Sequence, residues 1–532
     1  MGTVIVEAPA GGHAGPRLDG EAARAWPAEP RVRARAVAGA LRPLAPEVHR
    51  VVVAQNADLA PSPARDAHLD ALGRGAAAVV TGQQVGLFLG PLYTIYKAAS
   101  AVVLARVLAA ETGAPVVPVF WLQTEDHDLA EIASVGVPGA IACEMIAAPI
   151  DAGNRISIAH VRLPVEIAAS LDQLAGALGE GSLAAAHLDR LRRHYRAGGS
   201  WARAFAGVLA ELFAPEGLVM IDPRDPVLAE VAAPVHARAI EEAEPIAQAM
   251  IAHGAELERA GLRTPVHVRP GAPLSFFHPD GALGPRVRLE PAGGDGFAEL
   301  GGTRVHARAA LLAALRDDPR RFSTSALLRP IVQDTLLPTA AYVGGPAEVA
   351  YFAQLVPLYR AFGRTPPLVV PRARFRITDA RTRKLLARLG LSVDDAERSE
   401  AELLARLRPP GPHVAEISRR LLDPFVAAHG QLAATLADAG PAVARALART
   451  RGSVERSVAT LASKVERARI YADAESVAAV RRLRAMLAPD GEPQERRLGL
   501  AGLAARVGDR QVIEQVLVAI DPFDPALQEL AA

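Results

Sequence analysis

"AAAVVTGQQVGLFLGPLYTIYKAAS", residues 76–100, runs from a short apolar stretch into a glycine-containing polar turn and then into a helical pattern from about Pro91. An apolar run ended by glycine and polar residues and followed by a helix is one repeat of an alternating strand–helix fold around a largely parallel sheet. The same construction recurs outward. "APVVPVFWLQTEDHD" (114–128) leads into "LAEIASV" (129–135), and "GLVMIDPRDPVLAEVAAPV" (217–235) reads as strand, turn and helix. "TAAYVGGPAEVAYFAQLVPLYRAF" (339–362) gives strand, Gly-Gly turn and helix, and "TPPLVVPRARFRI" (365–377) adds a further strand. The fold class is therefore α/β.

Other segments depart from that repeat. The first seventy residues, with "AARAW" and "RARAVAGAL", read as helical and connective, and residues 164–212 read as a helical insertion. In "TPVHVRPGAPLSFFHPDGALGPRVRLE" (264–290), β-rich runs separated by Pro-Gly and Asp-Gly steps predict antiparallel hairpins inserted at about 263–305. Beyond residue 385 the pattern is helical. Leu447, Val454, Leu461 and Ala468 recur every seven residues, as do Val458, Val465 and Ala472, which predicts a coiled-coil stripe. Gly440-Pro441 punctuates the region, and a continuous helix from Pro441 to about Met486 would be roughly 70 Å long. The organisation expected is a core in 1–163 and 213–385, a helical arm in 386–486, and a segment 487–532 returning to the core.

Bulk properties narrow the function classes. The 532 residues carry a formal net charge of +1, which offers no pull toward nucleic acid. Cys143 is the only cysteine, so an intrachain disulfide or a cysteine zinc cluster is excluded, and a reducing compartment fits. The first residues lack the pattern of a signal peptide, and no apolar run approaches the ~18 residues of a membrane span, so a cytoplasmic protein is expected. Lysine occurs only at Lys97, Lys384 and Lys464, leaving arginine to supply 56 of the 59 basic residues. Lys97 thus marks a place where a compact point charge replaces the usual planar fork, or is one of three chance survivors.

In a parallel sheet, loops leaving the carboxyl ends of strands meet at a crevice where ligands bind. The densest polar clusters fall at such ends: Gly82 to Gly90, "TEDHD" (124–128), "DPRD" (222–225) and "YVGGPAE" (342–348). Gly90-Pro91 and Gly345-Pro346 place glycine before a helix start whose free N–H groups can receive phosphate or carboxylate; each is equally an efficient turn. Neither matches a Walker or G-x-G-x-x-G spacing. Thr94 and Lys97 are three apart on one helix and can face the same anion, while Tyr93 can contact a ligand or simply pack. Glu125, Asp126, His127 and Asp128 crowd three carboxylates and an imidazole together, which is costly unless they meet solvent, a cation or a substrate ammonium. His127 can act as general base with Asp126 or Asp128 orienting it, or Asp128 can cap the next helix. Adjacent residues cannot all face one ion and no second histidine cluster accompanies them, so no metal ligands are assigned.

"TGQQVGLFLGPLYTIYKA", "VPVFWLQTEDHDLAEI", "FSTSALLRPIVQDTLLPTAAYVGGPAEVAYFAQL" and "GEPQER" together resemble the BshC family, the cysteine ligases of bacillithiol synthesis. The resemblance spans residues 81–497. It implies a Rossmann-like core with inserted connecting segments, a C-terminal coiled coil supporting a homodimer, and addition of cysteine to glucosaminyl malate by amide formation. Amide formation from carboxylate and ammonium needs an activated carboxyl, so ATP is the expected activator; a metal requirement is left open. On this reading His127, Asp126 and Lys97 are the catalytic candidates. Gln83, Gln84, Tyr93, Thr94, Glu125, Asp128, Arg329, Gln333, Asp334 and Glu348 are substrate-binding candidates, with Arg329 anchoring malyl carboxylates or instead pairing with Asp334. Gly82, Gly90, Gly344 and Gly345 are the anion-binding candidates. Two other readings stand beside it: a different nucleotide-dependent carboxylate–amine ligase, and a nonenzymatic ligand sensor whose helical arm carries the function.

Overall fold

The structure, a computed structural model, describes residues 29–139, 141–151, 153, 155–407, 413–524 and 526–531; the "AARAW" segment lies outside them. Five strands form one all-parallel sheet: β1 (Ala77–Gln83), β2 (Val116–Leu122), β3 (Val219–Ile221), β4 (Thr339–Gly344) and β5 (Leu368–Pro371). Their order is β5-β4-β1-β2-β3, so the chain builds outward from β1 in one direction and then returns to build outward in the other. The reversal falls between β1 and β4, the place where a doubly wound sheet opens a crevice.

Strand alternation divides the core. Ala77 and Val79 face one cluster with Leu104, Leu108 and Val343, whereas Ala78 and Val80 face the other with Val119, Trp121 and Val219. Helix α1 (Tyr93–Thr112) covers the first face. It is the one described helix long and apolar enough to cross a membrane, and 67% of its apolar window is buried inside the fold. Opposite it, α2 (Arg329–Leu336) and α3 (Pro346–Gln354) join helices Pro46–Ala57 and Pro226–Glu241 on the second face.

An antiparallel sheet in the order Phe322–Thr324, Ser275–Phe277, Val287–Ala292, Gly296–Glu299, Val305–Ala307 occupies the hairpin region. Residues 164–212 form three helices, Ile167–Leu178, Ser182–His194 and Trp201–Leu212. A parallel pair, Arg374–Thr378 with Leu527–Ala531, brings the end of the chain back, and residues 495–532 cluster with the sheet-bearing unit.

The second unit, chiefly Asp379–Gln494, is helical. Helix α4 (Pro441–Ile470) ends where a continuous helix to Met486 was expected. Asp473 is the reason: its carboxylate accepts from the Glu475 amide at 3.1 Å and the Ser476 hydroxyl at 2.6 Å, capping a new helix, Ala474–Leu487. Within α4 the buried residues are Val458, Ala462 and Ile470, while Leu461 is 43% exposed, so the stripe that packs is not the Leu447–Leu461 heptad. A second departure follows "TEDHD". Only Leu129–Ile132 is helical there, and β-branched "SVGVP" then forms a strand, Ser134–Pro138.

Candidate functional site

Two regions lie at the carboxyl ends of the parallel strands. The first is the switch point between β1 and β4, and its own side chains fill it. The Lys97 ammonium, 3% exposed, donates to the Gly82 carbonyl at 2.8 Å and Gln83 Oε1 at 3.0 Å and forms an ion pair with Glu348. Glu348 also accepts from the Gly345 amide at 2.7 Å and the Tyr342 hydroxyl at 2.5 Å. The helix start at Gly345 is therefore occupied by Glu348, which caps its own helix instead of facing a substrate. The charges are unequally satisfied. Burial pushes the Lys97 ammonium down, and attraction to Glu348 does not offset it, with Arg372 and Arg329 adding repulsion. Burial pushes Glu348 up, but Lys97, Tyr342 and Gly345 outweigh it and hold the carboxylate below its usual range.

The Gly90 turn is closed as well. Gly90 sits at φ +64°, which favours glycine, and follows Phe88 and Leu89, both also at positive φ. The Leu92 amide donates to the Leu498 carbonyl at 2.8 Å, so this helix start is covered by the returning chain. Gly82 and Gly344 are close-packed: a Cβ on Gly82 would lie 2.9 Å from the Trp121 carbonyl oxygen, and one on Gly344 3.1 Å from Glu348 Cβ. Thr94 is fully buried, with Oγ1 lacking a hydrogen-bond partner. Tyr93 bonds Gln83 through its hydroxyl at 3.4 Å and lies under the Arg372 guanidinium, and burial pushes its phenol to about 12. Arg372 is clamped in turn by Glu495 of "GEPQER" at 2.7 and 2.8 Å, both residues 3% exposed.

Arg329, Gln333 and Asp334 are enclosed in a network rather than presented to a crevice. Arg329 donates to Gln333 Oε1 at 2.7 Å and the Tyr351 hydroxyl at 2.9 Å, and stacks 4.9 Å from the Tyr342 ring. Gln333 donates to Asp334 at 3.0 Å, and Tyr359 donates to Asp334 at 2.6 Å. The direct Arg329–Asp334 pair weighed from sequence is replaced by this relay. Nothing in "LLRPIVQDT" announced it, because its partners Tyr351 and Tyr359 come from later helices.

The second region is open. A cleft of about 300 Å³ lies beyond the end of β2, walled by Glu125, Asp126, His127 and the antiparallel insertion. Asp126 is fixed from several sides: Gln84 Nε2 donates to it at 2.8 Å, the His127 amide at 2.7 Å, and Arg286 at 3.3 Å. Burial pushes the carboxyl up, but the contacts from His127, Arg286 and Gln84 outweigh it and hold it far below the carboxylate range. His127 Nδ1 is buried, lacks a hydrogen-bond partner, and stands 3.5 Å from Asp126 Oδ1. Glu125 accepts from the Thr324 backbone and hydroxyl. Asp128 is exposed and accepts from the Glu131 amide at 3.2 Å, so it caps the short helix. Among the described residues no three His, Cys, Asp or Glu side chains converge as a metal site.

Sequence reasoning missed the insertion's contribution. Arg286 and Arg288 of "GPRVRLE" are two residues apart in an extended segment and so share a face. Arg286 bonds the Glu125 and Thr324 carbonyls at 2.8 Å each and stacks 3.9 Å over Phe276. The alternation R-V-R opposite "SFF" was the available signal.

A doubly wound parallel sheet with a polar cleft at its strand ends and an appended helical unit defines a Rossmann-like protein carrying a coiled-coil arm. Family comparison agrees: residues 33–373 match "Bacillithiol biosynthesis BshC, N-terminal Rossmann-like domain", and residues 375–530 match "Bacillithiol biosynthesis BshC, C-terminal coiled-coil domain". A relative from Koribacter versatilis is 37% identical over 469 residues, covering 85% of this chain and 84% of its own. Relatives from Solibacter usitatus and Salinibacter ruber are 36% and 34% identical, covering 82% and 89% of this chain and 80% and 87% of theirs. All three carry the name "Putative cysteine ligase BshC". The chain belongs to the BshC family of bacillithiol biosynthesis.

Proposed function

We propose that this protein is a ligase that joins the carboxyl group of L-cysteine to the amine of glucosaminyl malate, in the cleft beyond β2. The single observation that carries the reading is His127: its Nδ1 is buried and without a hydrogen-bond partner, in a cleft and beside a carboxylate held ionised. Amide formation requires a neutral amine. His127 takes the proton from the substrate ammonium, and the Asp126 carboxylate stabilises the imidazolium. The amine nitrogen then forms the new C–N bond as the activated carboxyl sheds its leaving group. Gln84 holds Asp126 in place, and Glu125, secured by Thr324, fixes the adjoining wall.

Activation of the cysteine carboxyl calls for ATP as co-substrate. The glycine turns do not fit its phosphates in this arrangement, because Glu348 occupies the Gly345 amide and the Leu498 carbonyl takes the Leu92 amide. No step is assigned through it. Lys97, Arg329, Gln333, Asp334 and Glu348 serve as positioning residues that hold the ends of β1 and β4. The helical unit, with Leu421, Leu432 and Leu461 exposed, is the surface through which two cytoplasmic copies would pair.

A deletion strain tests the assignment. It accumulates glucosaminyl malate if the reading is right; accumulation of a different amine, with glucosaminyl malate unchanged, refutes it.

A further inference from the structure

The wall of the cleft supplied by the insertion carries more positive charge than its acids neutralise. Phe276 and Arg288 are directly opposed across the antiparallel pair, and the Arg286 and Arg288 guanidinium groups lie 3.9 and 5.4 Å from the centre of the same Phe276 ring. The Phe276 ring thus packs against two guanidinium groups, of which, among the described residues, Arg286 alone pairs with a carboxylate, that of Asp126.

The acids around them are already engaged. Glu290 is paired with Arg269, and Asp126 is shared among Gln84, the His127 amide and Arg286. Glu125 is bound by Thr324. Arg288 has no acidic partner among the described residues, and its neighbours Arg269 and Arg155 add repulsion to the burial that already disfavours its charge. Arg286 is 5% exposed, yet its Nε has no hydrogen-bond acceptor. A buried guanidinium N–H without a partner costs free energy, and a second guanidinium crowded by like charges adds to that cost. Both arginines line the cleft, so an anion entering it would relieve both costs.

We propose that Arg286 Nε and the Arg288 guanidinium form a carboxylate-recognition subsite, which binds the malyl dicarboxylate of the amine substrate. The Arg288 planar fork matches one carboxylate in two parallel hydrogen bonds, and the Arg286 Nε–H, which has no acceptor while its terminal nitrogens bond Glu125, Asp126 and Thr324, supplies a single bond to the second carboxylate of a small diacid. This rests on the ligase reading for the identity of the diacid. It moves carboxylate recognition from Arg329, which Gln333 and Tyr351 occupy, to the strand 287–292.

The test is calorimetric titration of the full chain with glucosaminyl malate, without cysteine or ATP, for wild type and Arg288→Gln. The expected result is affinity weakened about 10- to 100-fold in Arg288→Gln, the range for losing a charge-assisted hydrogen bond. L-malate should compete and inorganic phosphate should not. Unchanged affinity in Arg288→Gln, or displacement by phosphate with no effect of L-malate, overturns the subsite. Matching urea midpoints for the two proteins establish that the variant is folded; if Arg288→Gln is unstable, Arg288→Lys, which keeps the charge but loses the fork, must show the same loss. Arginine-dependent binding together with no ligation by wild type would sink the ligase reading and leave the subsite standing.

Discussion

Replacing Lys97 with methionine separates two roles for that residue. The substitution keeps the volume of the stem but removes the ammonium, and with it the pair to Glu348 and the bonds to the Gly82 carbonyl and Gln83. Glu348 then stays inside as an unpaired carboxylate. Breaking one side of a buried pair costs about 3–5 kcal/mol. The low end applies here, about 3 kcal/mol, because the Tyr342 hydroxyl and the Gly345 amide still hold Glu348. Adding Glu348→Gln removes the stranded charge, and the double variant should recover about 1–2 kcal/mol, a coupling in the range for residues in contact. Urea unfolding followed by tryptophan fluorescence reads this directly, since Trp121 and Trp201 are fully buried in the sheet-bearing unit and Trp121 adjoins Gly82. Ligase activity of the double variant supplies the second readout. A positioning lysine predicts measurable turnover once the carboxylate is neutralised. A Lys97→Met variant within about 0.5 kcal/mol of wild type, or a stable double variant with no turnover, would refute the reasoning.

Three further outcomes follow from the same contacts. Glu495→Gln removes the carboxylate that clamps Arg372, 3% exposed, leaving it only the more distant attraction of Glu348, and should destabilise the sheet-bearing unit by about 3 kcal/mol, measured by the same urea assay. His236, bonded to Ser275, is fully buried; burial and then Arg224 lower its pKa to about 4, and the same two causes lower His278 to about 3. Because the folded values lie below the unfolded 6.5, their contribution is complete above pH 6.5 and is lost as pH falls through about 4 and about 3; His236 alone accounts for about 3 kcal/mol, and His236→Gln should flatten the stability profile between pH 6 and 4. His127→Asn should lower kcat by about 10²–10⁴-fold in the ligation assay while leaving the urea midpoint close to wild type.

The alternation of apolar runs and glycine turns made the parallel sheet legible, since a strand buried on both faces reads as a continuous apolar run wherever it occurs. Helix ends were harder. "IYADAES" looked continuous because Tyr-Ala sits comfortably in a helix, and only the capping geometry of Asp473 breaks it. At the site, "TEDHD" stood out because charge crowding is visible in one dimension. The closing of the switch point was not, because Lys97, Glu348 and Arg372 meet only when β1, β4 and β5 are side by side. Arg286 is the same case, a site residue only because it touches Asp126, 160 residues away in the chain, whereas Gln84 was already a binding candidate from its turn and its bond to Asp126, 42 residues on, gives it a partner. The arginine pair was masked by composition: in a chain where arginine is the ordinary cation, the alternation R-V-R stands out only once Phe276 and the cleft give it a direction.

Purified protein incubated with L-cysteine, glucosaminyl malate and ATP, with the products read by mass spectrometry, tests the central claim most directly. Formation of the cysteinyl amide by wild type, with its loss in a folded Asp126→Asn variant, is the predicted result. No amide from folded wild-type protein, or full activity in Asp126→Asn, would contradict it.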